Sequence, residues 1–203
     1  MYNFQLSEKE IIKIHNSLKS PDGIIAFPTD TVWGVGCLIE NELAVNRIYS
    51  TKGRSEIKPL ILLGSKIEYL VPYVAEIPEV AGKIIDKYLP GAVTLVLQKS
   101  DKTPSYLTSG GNTVGIRIPN CPPFLSLLDN AIESHVLATT SANLSGEPAA
   151  LSKSEIENKL GDKVDYILDD YGYSAKGTES TVVLVDPSGN IKILRQGAVA
   201  IDV

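Results

Sequence analysis

Short apolar runs alternate with amphipathic segments along this chain, and that alternation constrains the fold more than any other feature. Residues 23–27, 59–64, 92–98 and 135–140 form runs of strand length, and helix-like segments lie between them. Near the end, the turn sequence Asp-Pro-Ser-Gly-Asn at 186–190 joins two further runs as a hairpin. Helical crossovers give parallel pairs and a hairpin gives an antiparallel pair. The pattern therefore predicts a mixed sheet in an α/β arrangement.

Capping residues mark where several helices begin. The Ser-Glu-Lys-Glu sequence at 7–10 is a capping box, and Asn41 is a suitable N-cap. Pro78 fits the first turn of a helix that continues to about residue 88. We expect helices to begin close to these three positions.

Length and composition limit the possible functions. With 203 residues and 43% hydrophobic content, the chain can bury one sizeable core, so we expect a single domain over residues 1–203. The net charge of −5 does not suggest a general binder of nucleic acids or membrane surfaces. Any site for an anion must therefore be a local concentration of positive charge.

Cysteine usage and the N-terminus favour a reduced, cytoplasmic setting. The two cysteines, Cys37 and Cys121, have no metal-ligand spacing, and the chain has only two histidines. The first residues show no signal-peptide pattern, and no apolar run approaches the length of a membrane span. We expect no membrane association.

The segment 52–60 concentrates positive charge. Lys52 and Arg54 are two residues apart, so an extended backbone directs both side chains to the same face, and Gly53 leaves room for a ligand. Lys58 precedes Pro59, which argues against a helix there. Such a segment suits a polyanion such as a nucleoside triphosphate, although a solvated basic loop would have the same sequence.

Small polar residues follow two of the predicted strands. Residues 28–36 combine threonine hydroxyls with two glycines, and Ser141 and Asn143 follow the strand at 135–140. Open α/β sheets place ligands at such strand ends. The alternatives are an ordinary strand-to-helix connection around a packed Trp33 and, at the second position, a simple Asx or ST turn.

The segment 112–119 alternates in the manner of a half-buried strand. Thr113, Gly115 and Arg117 lie on one face, and three aliphatic residues lie on the other. We expect the aliphatic face to pack inward and Arg117 to face a cavity or solvent.

Taken together, these motifs are far more specific than any one of them. In chain order they are Pro-Thr-Asp-Thr-Val-Trp-Gly-Val-Gly at 28–36, Lys-Gly-Arg at 52–54 with Lys-Pro-Leu-Ile at 58–61, Thr-Val-Gly-Ile-Arg at 113–117, Ser-Ala-Asn at 141–143 with Ser-Gly at 145–146, Glu-Ser-Thr at 179–181 and Leu-Arg at 194–195. The combination resembles the YrdC/Sua5 family of L-threonylcarbamoyladenylate synthases. The resemblance extends from about residue 7 to residue 200. Longer members carry an additional C-terminal domain, so this chain resembles the short, single-domain form.

The resemblance implies a fold and a reaction. The fold would be a twisted mixed α/β sheet with flanking helices and a large concave cavity. The reaction would join L-threonine, bicarbonate or CO2, and ATP into L-threonylcarbamoyl-AMP, releasing pyrophosphate. Mg²⁺ would accompany ATP, held mainly by phosphate oxygens. The product would feed the t6A modification of tRNAs that read ANN codons, completed by a downstream transferase complex, with possible direct contact to tRNA.

The resemblance also implies residue roles. The ATP side would comprise Lys52, Arg54, Lys58, Thr113, Ser141, Asn143 and Arg195. The L-threonine side would comprise Thr31, Arg117, Thr139 and Ser180, with Arg117 facing the carboxylate. The sequence departs from the family at Leu63, where many relatives have histidine, and at Ala149, where some have serine. No carboxylate can be named as a metal ligand.

Two other functions fit the residues less well. The concave basic face of an RNA-binding module would need a longer stripe of lysine and arginine than this acidic chain carries. Carbamoyl transfer or a lyase reaction on another small molecule remains open because of Leu63.

Overall fold

The computed structural model describes residues 4–52 and 58–202 of the chain. Gly53 and Arg54 of the basic segment lie outside the described residues. Within the described part, nine strands form one sheet: β1 (Ile25–Phe27), β2 (Gly34–Cys37), β3 (Ile61–Gly64), β4 (Val93–Gln98), β5 (Thr113–Arg117), β6 (Val136–Ser141), β7 (Tyr166–Ile167), β8 (Thr181–Val185) and β9 (Ile191–Arg195).

The sheet is mixed, as the sequence predicted. Its strand order is β7-β1-β2-β6-β3-β5-β4-β8-β9. The pairs β1/β7, β3/β5 and β4/β8 are parallel, and the remaining neighbours are antiparallel. The predicted terminal hairpin is the antiparallel pair β8/β9. The α/β fold class is therefore confirmed.

Six α-helices flank the sheet in the described part of the chain: α1 (Glu8–Leu18), α2 (Glu42–Thr51), α3 (Ile67–Leu70), α4 (Glu79–Tyr88), α5 (Pro122–Ala131) and α6 (Lys153–Leu160). Ser7 forms the predicted capping box with Glu10, and the Oδ1 atom of Asn41 accepts a 3.0 Å bond from the Ala44 amide. Pro78 is the N-cap of α4. All three predicted helix starts are confirmed.

The strand-to-helix alternative for residues 28–36 was wrong. Residues 28–33 connect β1 to a second strand, β2, which begins at Gly34. Glycine is needed at position 34 because a Cβ atom there would approach the Phe27 ring to 2.6 Å. Trp33 is fully buried, in agreement with the packed tryptophan expected for an ordinary connection. Two glycines in a four-residue strand obscured its β character in the sequence.

The two faces of the sheet are covered to different extents. We call one the covered face: Leu62, Ile116 and Ala138 point to it and pack with α2, α4 and α6. We call the other the open face: α1 and α5 pack on it only around β1, β3 and β6, with Phe27 and Phe124 stacked at a 4.2 Å centroid distance. Beyond these two helices, the open face carries a cavity.

Candidate functional site

The cavity has a volume of about 710 Å³. Its floor is the open face of the sheet. Leu63 lies on that face, and residues two apart on a strand, such as Ile61 and Leu63, share a face. The floor side chains come from six strands and are Ile61, Leu63, Thr94, Arg117, Thr139, Ser141, Val182 and Arg195. Loops at 29–32, 143–151 and 177–180 form the walls. The large concave cavity implied by the family resemblance is therefore present.

Arg117 is fixed in the floor by three hydrogen bonds. It is only 4% exposed, and its Nη2 contacts Asp30 Oδ1 at 2.5 Å. Its Nη1 donates to Thr31 Oγ1 at 2.9 Å, and its Nε donates to the Gly91 carbonyl at 2.8 Å. Burial lowers the pKa of the guanidinium, and the Asp30 carboxylate opposes that shift. Arg117 thus faces the cavity as predicted, and it remains a cation because arginine does not deprotonate in proteins.

Lys52, Ser141 and Asn143 form a second group, beside the end of β6. The buried Lys52 ammonium donates to Asn143 Oδ1 at 3.0 Å and also to the Ser141 carbonyl. Ser141 Oγ donates to Asn143 Oδ1 at 2.7 Å, and Asn143 Nδ2 donates to the Glu147 carbonyl at 2.8 Å. The Asn143 amide therefore stabilises the wall loop, as the turn alternative expected. Ser141 and Asn143 line the cavity, whereas Lys52, predicted as a phosphate contact, is buried beside them and is not part of the lining.

Arg195 defines the third group, at the far side of the floor. Its Nη1 contacts Glu179 Oε2 at 2.5 Å, and its Nη2 donates to the Ser180 carbonyl at 2.9 Å. The hydroxyls of Ser180 and Thr94 are 2.8 Å apart. Arg195 and Ser180, which belong to different predicted halves of the site, are thus in direct contact.

The remaining predicted residues differ in their positions. Lys58 lines the cavity, and so does Thr139, whose hydroxyl donates to the Ile61 carbonyl at 3.1 Å. Thr113 pairs with Gln98 at the other end of β5 and is not part of the cavity lining. Arg54 lies outside the described residues. The two positions where the sequence departs from the family, Leu63 and Ala149, both line the cavity.

Sequence reasoning missed two contributors. Asp30 received no role, although its carboxylate is the partner of Arg117. Thr94 received none either, because it lies within an aliphatic strand and only strand pairing places it on the open face. The Asp30 contact spans 87 positions in the chain, so local spacing carries no signal for it.

The described residues contain neither a cluster of metal ligands nor a helix suited to span a membrane. In residues 4–52 and 58–202, no three or more His, Cys, Asp or Glu side chains cluster as metal ligands would. A Mg²⁺ ion held mainly by phosphate oxygens does not require such a cluster. Over the same ranges, no helix combines the length and apolar character needed to span a bilayer.

A mixed α/β sheet with a cavity lined by cations, carboxylates, hydroxyls and an amide has the concave, partly polar form of a small-molecule site. The family model described as Telomere recombination (Sua5_yciO_yrdC) matches residues 18–197. The chain belongs to this Sua5/YciO/YrdC family.

Individual relatives agree with that assignment. A "Threonylcarbamoyl-AMP synthase" of Idiomarina loihiensis is 34% identical over 178 residues, covering 87% of this chain and 92% of the relative. One of Pyrococcus abyssi is 38% identical over 160 residues, covering 79% of this chain but 46% of the relative. The crystal structure of P. abyssi Sua5 complexed with L-threonine has a TM-score of 0.85 and 34% identity, covering 96% of this chain and 56% of that one. The chain thus spans about half the length of the P. abyssi protein.

Proposed function

We propose that this chain synthesises L-threonylcarbamoyl-AMP and pyrophosphate from L-threonine, bicarbonate or CO2, and ATP. The observation that carries the proposal is the convergence of Lys58, Arg117 and Arg195 on one cavity that also presents hydroxyl and amide side chains. Relatives named threonylcarbamoyl-AMP synthase support it, as does a relative's structure in complex with L-threonine. The lining carries Lys58, Arg117 and Arg195 against Glu147 and Glu179, so its side chains have a small net positive charge in a chain whose net charge is −5.

The amino acid would bind around Arg117. A guanidinium has five N–H donors, and three of those on Arg117 are used by protein atoms in the described structure. One N–H on each terminal nitrogen remains, which suits a bidentate bond to a carboxylate. Thr31, Thr139 and Ser180 would complete the L-threonine side. The bonds to Asp30 and Gly91 hold the fork in place before substrate arrives.

ATP would bind along the other side of the cavity. Lys52, Arg54, Lys58 and Arg195 would neutralise phosphate charge, and Ser141 and Asn143 would contribute neutral polar groups. Thr113 does not line the cavity, so it would not contact ATP directly. Mg²⁺, when bound with ATP, would supply further neutralisation of the phosphates, with its ligands mainly phosphate oxygens.

The chemistry needs positioning and charge neutralisation more than a protein nucleophile. The threonine amine bonds to the carbon of CO2 and loses a proton, which gives a carbamate. A carbamate oxygen then attacks the α-phosphorus, the bond from that phosphorus to the bridging oxygen breaks, and pyrophosphate leaves. Cations on the phosphates stabilise this transfer. Carbamates decompose in water, so a recessed cavity protects the intermediate.

The adenylate would serve as an activated donor for the t6A modification of tRNAs reading ANN codons, passed to a separate transferase complex in the cytoplasm. Direct contact with tRNA is part of the proposal.

The test is detection of the product itself. The purified chain is incubated with ATP, Mg²⁺, bicarbonate and L-threonine, and the adenylate is identified by mass spectrometry while pyrophosphate is assayed. L-serine in place of L-threonine and omission of bicarbonate are the controls. We expect the adenylate only in the complete mixture. Pyrophosphate release that is stimulated equally without threonine, or by an unrelated carbamoyl acceptor, would refute the proposal.

A further inference from the structure

Thr94 and Ser180 form a buried hydroxyl pair in the cavity floor. Their Oγ1 and Oγ atoms are 2.8 Å apart, and the residues are 1% and 4% exposed. Thr94 stands in a strand that otherwise reads Val-Leu-Val-Leu-Gln, where valine would fit as well by shape and strand preference. Burying a hydroxyl costs free energy unless it is hydrogen-bonded, so packing alone does not account for threonine here.

Strand pairing places Thr94 between two arginines. It lies one residue beyond the ladder between β4 and β5, opposite Arg117. On its other side it pairs with Val182, which pairs in turn with Arg195. Three strand spacings separate the two arginine-bearing strands, roughly 14 Å. Arg195 contacts the hydroxyl pair directly, and Arg117 lies on the neighbouring strand on the other side of Thr94.

The protons of this pair can be counted. Two hydroxyls carry two protons, and their mutual bond uses one. Ser180 Oγ also accepts a 3.3 Å bond from Arg195 Nη2. A guanidinium has no acceptor, so neither arginine can take the second proton. The described residues offer no other acceptor to either hydroxyl, and both residues line the cavity. The second proton is therefore available to an oxygen atom in the cavity, of solvent or of a bound ligand.

The charged side chains near the Thr94–Ser180 pair indicate what kind of ligand could bind there. Arg117 is already paired with Asp30 and Arg195 with Glu179, both at 2.5 Å. Little net charge is therefore left immediately beside the hydroxyl pair, which suits an anion of single charge. The phosphates of ATP would extend from there toward Lys58, with Arg195 between the two ligands. A planar anion with a single charge needs only the remaining N–H groups and one hydroxyl donor.

We propose that Thr94 is a ligand-binding residue, and that the Thr94–Ser180 pair donates a hydrogen bond to a carboxylate-type oxyanion held between Arg117 and Arg195. This inference rests on the proposed function for its ligand, which is either the carboxylate of L-threonine or bicarbonate. The two share the same planar O–C–O geometry. Thr94 would then help to align that group beside the α-phosphate of ATP.

The experiment compares Thr94→Val with Thr94→Ser and with the matched control Thr103→Val. Thr103 is equally buried, but its hydroxyl bonds the Tyr73 carbonyl away from the cavity. Dissociation constants are measured by calorimetry for L-threonine and by ¹³C NMR titration for bicarbonate, with circular dichroism to verify folding. Loss of one hydrogen bond to a charged group should weaken binding roughly 10-fold or more in Thr94→Val. Thr94→Ser and Thr103→Val should bind as the wild type does.

The outcomes separate the two ligands and the two proposals. Weaker binding of L-threonine alone assigns the pair to the amino acid carboxylate, and weaker binding of bicarbonate alone assigns it to bicarbonate. Unchanged affinity of folded Thr94→Val for both, or a wild type that binds neither, overturns the inference. Pyrophosphate release by the wild type is scored separately. A wild type that binds L-threonine but releases no pyrophosphate would refute the proposed enzyme and leave this binding test intact.

Discussion

The covered and open faces of the sheet use the same strands for different purposes. On β5, Val114 and Ile116 point into the helix-covered core, while Gly115 and Arg117 between them point to the open face. Because side chains alternate across a strand, one five-residue segment contributes to both stability and ligand contact. Substitutions one residue apart on this strand should therefore change either stability or ligand binding, and not both.

The open face has its own stabilising contacts. Arg117 is held by Asp30, Thr31 and Gly91, so the cation is oriented without any ligand. Such preorganisation lowers the cost of binding, because the side chain has no rotamer freedom left to lose. Both faces are well ordered, but their chemistry differs. The covered face is apolar, whereas the open face combines the apolar cluster under α1 and α5 with internally paired polar side chains in the cavity.

Removing Arg117 should have the largest effect. Arg117→Ala deletes the carboxylate fork, and we expect the KM for L-threonine to rise on the order of 100-fold while the KM for ATP changes little. Steady-state pyrophosphate assays at varied substrate concentrations measure this. A rise confined to the ATP requirement would mean that the two sides of the cavity are reversed.

Arg117→Ala also leaves the Asp30 carboxylate buried without its partner, which should destabilise the fold by about 3–5 kcal/mol. The matched control is therefore Arg117→Ala combined with Asp30→Asn. This double variant should regain much of the lost stability in urea unfolding and none of the affinity. Recovery of threonine affinity in the double variant would show that Arg117 acts only through the fold.

A substitution on the other face of the same strand should do the opposite. Ile116→Ala removes a fully buried side chain from the covered face, and we expect a loss of about 2–5 kcal/mol in the free energy of unfolding. Denaturant unfolding measures that loss. The KM for each substrate should remain within error at temperatures where the variant is folded. A changed KM would break the separation between the faces.

The sequence was sufficient for much of this architecture but not for the pairings across it. Ser7, Asn41 and Pro78 gave the helix starts because capping depends on neighbouring residues. The alternation of side chains along β5, which is also a local property, placed Arg117 on the face away from the aliphatic core. The short helix α3 and the glycine-containing strand β2 went unrecognised, since each has too few residues for a clear period.

Contacts of the site depend on strand order, which local patterns do not contain. Thr94 contacts Ser180 because the sheet places β4 between β5 and β8. Asp30 contacts Arg117 because the 28–33 loop lies over the end of β5. The family resemblance named Arg117 and Ser180, but their partners required coordinates. Sequence motifs alone do not predict such partner contacts.

Gly115 tests how closely the cavity floor is packed. A Cβ atom at this position would lie 2.7 Å from Ile61 Cγ2 on the neighbouring strand. We expect Gly115→Ala to cost about 1–3 kcal/mol from overpacking, measured by urea unfolding. The double variant Gly115→Ala with Ile61→Ala should recover part of that cost, because the clashing atom is removed. An additive loss would place the strain elsewhere in the strand.

Substitution of the cysteines, one in the core of each face, should have the smallest effect on stability and substrate binding. Burial, with the Glu40 charge, raises the pKa of Cys37 to about 12, and burial raises the pKa of Cys121 to about 12 as well. Few thiolates therefore exist at pH 8, and both cysteines are buried. We expect a disulfide reagent to label the native chain far more slowly than the unfolded chain.

The labelling rates also measure how firmly each face is closed. Cys37 belongs to the core of the covered face and Cys121 to the core beneath α1 and α5. Rates are compared in Cys37→Ala and Cys121→Ala, each of which leaves one thiol. Equal rates would mean that both cores open only with global unfolding, whereas faster labelling of Cys121 would show that the helices on the open face detach first.

The buried thiols also make stability depend on pH. Because folding raises both pKa values above the unfolded value of 9.0, the stabilising contribution of the two thiols is complete below pH 9 and is lost as pH rises toward 12. In the variant that combines Cys37→Ala with Cys121→Ala, the free energy of unfolding should therefore fall less steeply above pH 9 than in the wild type. An unchanged slope would contradict burial of the thiols.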